Sequence, residues 1–129
     1  MNRPYLCGPI NGCTDSEAND WRRDALAIWP DSINPMVRDY RGKELDDYRE
    51  IVELDKRDIR ACSVVLANCP KPSVGTSMEI FFAWTLGIPV IAWVPPGAPI
   101  SPWLRYHATT IVDSWEGVVK TVERFTDGF

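Results

Sequence analysis

The sequence predicts one α/β domain built on a doubly wound parallel sheet of about five strands with flanking helices. Its 129 residues fit a single hydrophobic core. Continuous apolar runs at 63–67 and 89–94 are typical of parallel strands that are covered on both faces. Segments with helical spacing alternate with such runs. The domain is therefore expected to span residues 1–129 with a flavodoxin-like or Rossmann-like order, and its ligand is expected at the carboxyl ends of the strands.

Short local signals mark the first strand and the first helix. The apolar run Tyr5-Leu6-Cys7 is cut by the turn signal Gly8-Pro9, which predicts a strand that ends in a loop. A helix is predicted over 16–27, and Pro30 prevents its continuation. Its expected N-cap is Asp15 or Ser16. Its inward stripe is expected to contain Trp21, Ala25 and Ile28.

The middle of the chain predicts a weak strand, an exposed loop and a second helix. Residues 33–36 have a weak strand pattern, and the polar stretch 38–47 has the composition of a loop. The helix predicted over 47–61 has apolar residues at helical spacing, and the same stripe contains Asp55. Those apolar residues are Tyr48, Val52 and Ile59. A carboxylate is therefore expected on the inward face of this helix.

The second half predicts two strongly apolar strands, a short strand and two helices. The runs 63–67 and 89–94 enclose a helix over 76–86. After a Pro-rich segment, a strand at 110–112 precedes a last helix over 114–125. The helix over 76–86 is apolar on all sides, and one face of a sheet does not cover such a helix. We therefore expect a homo-oligomer in which a second copy covers the rest.

Charge and composition exclude several classes of function. A net charge of −4 and a pI near 4.9 do not fit a protein that binds the phosphate backbone of polymeric nucleic acid. One histidine and four cysteines without a Cys-x-x-Cys pair predict no structural zinc, and neither a metal nor a cofactor is expected. No apolar run approaches the ~18 residues of a spanning helix, so no membrane partner is expected. Cys7 and Cys62 are predicted to be buried free thiols of a cytoplasmic protein.

The segment 73–79 is the most informative part of the sequence. It follows a buried strand and opens a helix, which places Glu79 in the first turn, where the helix dipole keeps a carboxylate ionised. Such a carboxylate can attack an anomeric carbon. Thr76-Ser77-Met78-Glu79 also matches a capping box, in which Glu79 only accepts from the Thr76 N–H. From this segment alone, the capping box is favoured.

The position of Asp55 favours a catalytic interpretation over a structural one. A carboxylate on an apolar stripe must be paired, hydrogen-bonded or functional to offset its desolvation, and Arg38 or Arg41 is the expected structural partner. If Asp55 points toward the same strand ends as Glu79, two carboxylates in different surroundings divide the roles of acid and nucleophile.

Three further features have both a structural and a functional interpretation. The loop 8–12 either cradles a phosphate or sugar with its N–H groups or is a tight turn, and it matches neither a Walker loop nor a Gly-x-Gly-x-x-Gly fingerprint. Tyr5 either hydrogen-bonds a carboxylate or belongs to the core. For His107, a structural or interface role is favoured over proton transfer.

Four segments taken together resemble the nucleoside 2-deoxyribosyltransferase family, which includes related nucleoside 5′-monophosphate N-glycosidases. They are YLCGPI at 5–10, the helix that contains Asp55, SVGTSMEI at 73–80 and GIPVI at 87–91. The resemblance implies that Glu79 attacks C1′ and holds the sugar covalently. It further implies that Asp55 assists at the base or sugar and that Tyr5 orients the nucleophile. For Glu79, the resemblance overrides the capping-box interpretation.

The expected partners are a small nucleoside or nucleotide and a free base. The loop 38–47 is expected to face the base. The expected substrate-binding residues are Cys7, Gly8, Pro9, Ile10, Arg38, Asp39, Tyr40, Arg41, Ser73, Gly75, Ser77, Ser101 and His107.

The acceptor of the sugar is left open between two members of the family. Transferases pass the sugar to another base, and the monophosphate N-glycosidases pass it to water. Ser73 and Ser101 match the hydrolases, whereas Pro9 and Asn11 replace the serine and arginine of some hydrolase phosphate loops. The guanidinium groups expected to supply the missing charge are Arg38, Arg41 and Arg105. The alternative from another class is a nucleotide sensor that binds without catalysis.

Overall fold

The computed structural model describes residues 3–127, and strands and helices alternate along them. The strands are β1 (Pro4–Cys7), β2 (Val64–Asn68), β3 (Val90–Trp93) and β4 (Thr110–Val112). The helices are α1 (Asp15–Ile28), α2 (Tyr48–Ala61), α3 (Val74–Thr85), α4 (Pro102–His107) and α5 (Trp115–Asp127). A 3-10 turn lies at Pro35–Val37. Of the predicted domain 1–129, the first two and last two residues lie outside the described part.

The sheet is parallel throughout, with the order β1-β2-β3-β4. The strand predicted at 33–36 is reduced to one parallel bridge between Ile33 and Tyr5. Two backbone bonds form this bridge, from Leu6 N to Ile33 O at 3.0 Å and from Ile33 N to Pro4 O at 2.8 Å. Pro35 lacks an N–H and begins the 3-10 turn, so the strand does not continue. With the bridge counted, the order is the 2-1-3-4-5 of flavodoxin-like sheets, which confirms the predicted class with four strands instead of five.

Helices cover both faces of the sheet. One core joins α1 and α5 to side chains such as Leu6 and Leu66. The other core joins α2 and α3 to Tyr5 and Cys7, because successive residues of β1 point to opposite faces. No helix among residues 3–127 is long and apolar enough to cross a membrane.

The helix starts differ from the predicted ones because the caps were misassigned. Thr14, not Asp15 or Ser16, caps α1 in a reciprocal capping box with Glu17. Ser73 caps α3 by accepting from the Thr76 N–H at 3.4 Å, so this helix starts at Val74 and not at 76. The short helix α4 has no counterpart in the sequence prediction, since its six residues are too few for a periodic pattern.

The predicted inward stripes of α1 and α2 agree with the structure only in part. On α1, Trp21 and Ala25 are buried, but Ile28 is exposed and Arg22 lies in the interior instead. On α2, Ile59 is buried, whereas Tyr48 and Val52 are exposed. A further difference concerns the thiols, because Cys7 is buried as predicted but Cys62 is only partly buried.

Candidate active site

Glu79 lies against β1, where two side chains hydrogen-bond its carboxyl group. The Tyr5 hydroxyl donates to Oε2 at 2.7 Å, and the Cys7 thiol donates to Oε1 at 3.3 Å. Tyr5 and Cys7 reach the same carboxyl because alternate residues of a strand share one face. The capping-box interpretation is therefore wrong for this helix: Ser73 is the cap, and Glu79 turns inward from the second helical turn.

Asp55 of α2 lies close enough to Glu79 for each carboxyl group to affect the pKa of the other. Burial and then the charge of Asp55 raise the pKa of Glu79 well above its ordinary value, although the hydrogen bonds from Tyr5 and Cys7 oppose the rise. Burial also raises the pKa of Asp55. The expectation that the helix dipole keeps Glu79 ionised is thus wrong. The dipole acts mainly on the first turn, and Glu79 lies in the second turn, where it is partly buried.

An arginine holds Asp55 from the other side. Arg38 Nη2 lies 3.3 Å from Asp55 Oδ1 and 2.7 Å from Asp58 Oδ2. Of the two arginines expected to pair with Asp55, Arg38 is therefore the partner. Arg41 instead pairs with Asp15 and Asp39, each at 2.7 Å, and its hydrogen bonds lower the pKa of Asp39 to about 2.

This arrangement defines the chemistry that the pair can perform. Two adjacent carboxyl groups with raised pKa values can hold one proton between them, because two neighbouring carboxyl groups do not both ionise readily. With the proton on Asp55, Glu79 is an oriented nucleophile and Asp55 is an acid.

Two loops adjoin this pair. The loop after β1 follows Cys7, which donates to Glu79, and the loop 38–41 begins at Arg38, which donates to Asp55. Gly8 and Pro9 are buried, and Ile10 is partly buried. A Cβ on Gly8 would lie 2.9 Å from the Trp21 ring, so close packing requires a glycine at this position. Asp39 is exposed, and Tyr40 donates to Glu50 at 2.7 Å.

A separate group of predicted substrate-binding residues lies on the outer side of α3. Ser73, Ser77, Ser101 and His107 line a groove of about 570 Å³ between α3 and α4, whereas Tyr5, Asp55 and Glu79 do not line it. Ser101 caps α4 by accepting from Leu104 N at 3.1 Å. Gly75 is exposed in the first turn of α3. Arg105 is exposed on α4. The structure thus divides the predicted site into a partly buried acidic pair and an outer groove.

His107 is enclosed by aromatic rings. Its Nδ1 lies 2.7 Å from the Trp103 carbonyl oxygen. Four ring centroids lie 5.0–5.6 Å from the imidazole. They belong to Phe81, Trp84, Trp103 and Tyr106.

Two buried charged residues near the site were missed by sequence reasoning. Asp58 accepts from Arg38 and from Arg57, at 2.7 and 3.2 Å. Arg22 is 1% exposed. For Arg22 a signal was available, since it lies on the buried stripe of α1 with Ala18 and Ala25, the pattern that singled out Asp55.

The fold and the site together define a class: doubly wound α/β proteins with a pair of carboxyl groups at the carboxyl ends of the parallel strands. The chain belongs to the nucleoside 2-deoxyribosyltransferase family, whose model matches residues 5–123.

Solved structures agree on the fold. A 2-deoxyribosyltransferase from the psychrotolerant bacterium Bacillus psychrosaccharolyticus has a TM-score of 0.75 and 17% identity, over 93% of this chain and 95% of that one. A conserved protein from Enterococcus faecalis V583 has a TM-score of 0.71 and 16% identity, over 96% and 98% of the two chains. The CMP N-glycosidase of Clostridium botulinum has a TM-score of 0.61 and 16% identity, over 95% and 99%. A comparison with curated proteins gave no match.

Proposed function

We propose that this protein cleaves the N-glycosidic bond of a nucleoside or nucleotide through a covalent glycosyl-Glu79 intermediate and transfers the sugar to another base. One observation supports this above all. Tyr5, Cys7 and Asp55 converge on the Glu79 carboxyl group, which is how a nucleophile is held in one orientation beside an acid. Family membership adds support of an independent kind.

The proposed reaction needs no proton beyond the one that the pair already holds. As a Glu79 oxygen bonds to C1′, the bond between C1′ and the base nitrogen breaks and its electron pair leaves with the base. Asp55 delivers the shared proton to that nitrogen. A second base then attacks C1′, releases Glu79 and returns a proton to Asp55.

Substitution of the nucleophile tests the proposal. Glu79→Gln retains the shape of the side chain but is a poor nucleophile, so turnover is expected to fall by at least about 10³-fold. Glu116→Gln, the same change on the exposed face of α5, serves as the control and should retain full turnover. With a slow substrate, mass spectrometry should find one sugar attached to Glu79. A fully active Glu79→Gln variant would overturn the proposal.

The second candidate is a nucleoside 5′-monophosphate N-glycosidase, with water as the acceptor. It is favoured by Ser73, which stands at the N-terminus of α3, and by the likeness in fold to a CMP N-glycosidase. The expected phosphate ligands Arg38 and Arg41 are each bound by two carboxylates, so a phosphate must compete with those ion pairs.

One chromatography experiment distinguishes the candidates. Deoxynucleosides and their monophosphates are incubated with the protein, with and without a second free base. Exchange of bases identifies a transferase, and free base with sugar or sugar phosphate identifies a hydrolase. Tight binding with unchanged substrate identifies a sensor.

The expected oligomer belongs to the same proposal. The surface of α3 and α4 exposes apolar side chains that a monomer rarely leaves in one patch: Val74, Met78, Phe81, Trp84, Leu86, Trp103 and Tyr106. A second copy of the chain on this surface would cover the outer groove, and Ser101 lies at its border. The cytoplasmic location stays a prediction.

A further inference from the structure

Arg22 is a buried arginine at the carboxyl end of β1. Its guanidinium group donates to Leu6 O at 3.2 Å, to Gly8 O at 3.1 Å and to Ala18 O at 2.6 Å. Leu6 and Gly8 flank Cys7, whose thiol donates to Glu79. One side chain thus bonds the backbone on both sides of a residue that contacts the candidate nucleophile.

The acceptors of Arg22 are all uncharged carbonyl oxygens. Among residues 3–127, no carboxylate oxygen lies within 4.0 Å of its guanidinium, whereas Arg38 and Arg41 each have two acidic partners. An arginine does not lose its proton in a protein, so a full positive charge is buried here. Burial lowers the pKa of Arg22, and the acidic groups of Cys7, Tyr5 and Glu79 oppose that effect. The positive charge of Arg22 in turn favours the ionised forms of these three groups.

Gly8 makes this position of Arg22 possible. A Cβ on Gly8 would lie 3.4 Å from Arg22 Nη2 and 2.9 Å from the Trp21 ring. The Arg22 guanidinium also lies 4.7 Å from the centroid of that ring. The bare backbone of Gly8 therefore lets both side chains of α1 close over the end of β1.

We propose that Arg22 is a positioning residue of the candidate active site. It fixes the loop after β1 through the Leu6 and Gly8 carbonyls, and it places a buried positive charge at the end of the strand whose Cys7 thiol donates to Glu79. The catalytic part of this inference rests on the proposed function, whereas its electrostatic part does not need a substrate.

Titration of the Glu79 carboxyl by carbon-13 NMR tests the electrostatic part. The signal is assigned by its loss in Glu79→Gln. The titratable and charged groups that face Glu79 are Tyr5 and Cys7 of β1 and Asp55 of α2, with Arg38 and Asp58 behind Asp55. None of these is altered when Arg22 is changed. In Arg22→Gln, which keeps a donor but loses the charge, the midpoint of Glu79 should rise by about one pH unit. In Arg22→Lys, which keeps the charge, it should stay near the wild-type value.

Steady-state kinetics of the same variants test the catalytic part of the inference. Both lose the three-way clamp on the backbone, so both should raise KM for the substrate, and only Arg22→Gln should also shift the acidic limb of the pH profile. A purely structural role predicts no difference between Gln and Lys in the titration. If Arg22→Gln does not fold, Arg22→Met replaces it, because an apolar side chain of similar length often substitutes for a buried charge.

Folded variants without charge that leave the Glu79 midpoint unchanged would overturn the inference. A wild-type protein that cleaves no nucleoside or nucleotide refutes the proposed function, and the titration still decides the role of Arg22.

Discussion

At the scale of single residues, the carboxyl group of Glu79 has both a raised pKa and a fixed orientation. Its raised pKa means that the folded protein holds a proton that the unfolded chain, with an ordinary pKa of 4.5, releases. The free energy of unfolding should therefore be fully retained below about pH 4.5 and should fall as the pH rises through the raised pKa. Asp55, with its pKa also raised, adds to this slope.

Glu79→Gln is expected to remove much of that slope. At pH 7 the variant should be more stable than the wild type by on the order of 2 kcal/mol, because a neutral amide avoids the desolvation of a buried carboxylate. The difference should vanish near pH 4. Urea unfolding across this range measures it, and an equal slope for both proteins would contradict the raised pKa.

Residues of the site could be predicted where the local sequence around one side chain indicated its environment. Asp55 was identified because a charge on an apolar stripe needs a partner. Tyr5 and Glu79 were candidates from their positions, and a resemblance in their motifs decided between their functional and structural interpretations. The ionisation of Glu79 was not predictable from its place in the helix, since it depends on Tyr5, Cys7 and Asp55, which are 74, 72 and 24 residues away in the sequence. Arg22 was missed although the same rule applied to it.

At the scale of elements, two helices offer a matched pair of caps. Thr14 caps α1 and does not line the groove, whereas Ser73 caps α3 and lines it. Thr14→Ala and Ser73→Ala should each lower the free energy of unfolding by about 1 kcal/mol, because each leaves an N–H of the first turn without an acceptor. Thermal unfolding measures this.

Only Ser73→Ala is expected also to weaken substrate binding. The KM of Ser73→Ala should rise, whereas the KM of Thr14→Ala should stay at the wild-type value. Equal kinetics in the two variants would restrict Ser73 to capping.

The strands β2 and β3 were well predicted, because buried parallel strands are continuous apolar runs. The segment 33–36 and the helix α4 were not, since Pro35 and the six-residue length of α4 give no periodic signal. The caps were misplaced by one to three residues because several of Thr, Asp and Ser stand close together before each helix.

At the scale of the whole molecule, the exposed apolar surface of α3 and α4 is the main feature that a single chain leaves unexplained. Met78 is 67% exposed, and Trp103 and Tyr106 are each 71% exposed. Trp103→Glu should yield monomers if a second copy covers this surface, because burial of an unpaired charge in an interface is strongly unfavourable. Light scattering after gel filtration measures the mass. Leu45→Glu, an equally drastic change at a side chain that is 94% exposed on a loop, is the control and should leave the mass unaltered.

The bridge at Ile33 has a consequence for the integrity of the sheet. It is the one pairing that closes the outer margin of β1 within the described residues, and it does so with two backbone bonds. Beyond it, Pro35 prevents any extension. If this segment detaches, the free amides and carbonyls of β1 become a template to which a strand of another molecule can add. Loss of this bridge would therefore cause both intermolecular aggregation and displacement of Tyr5.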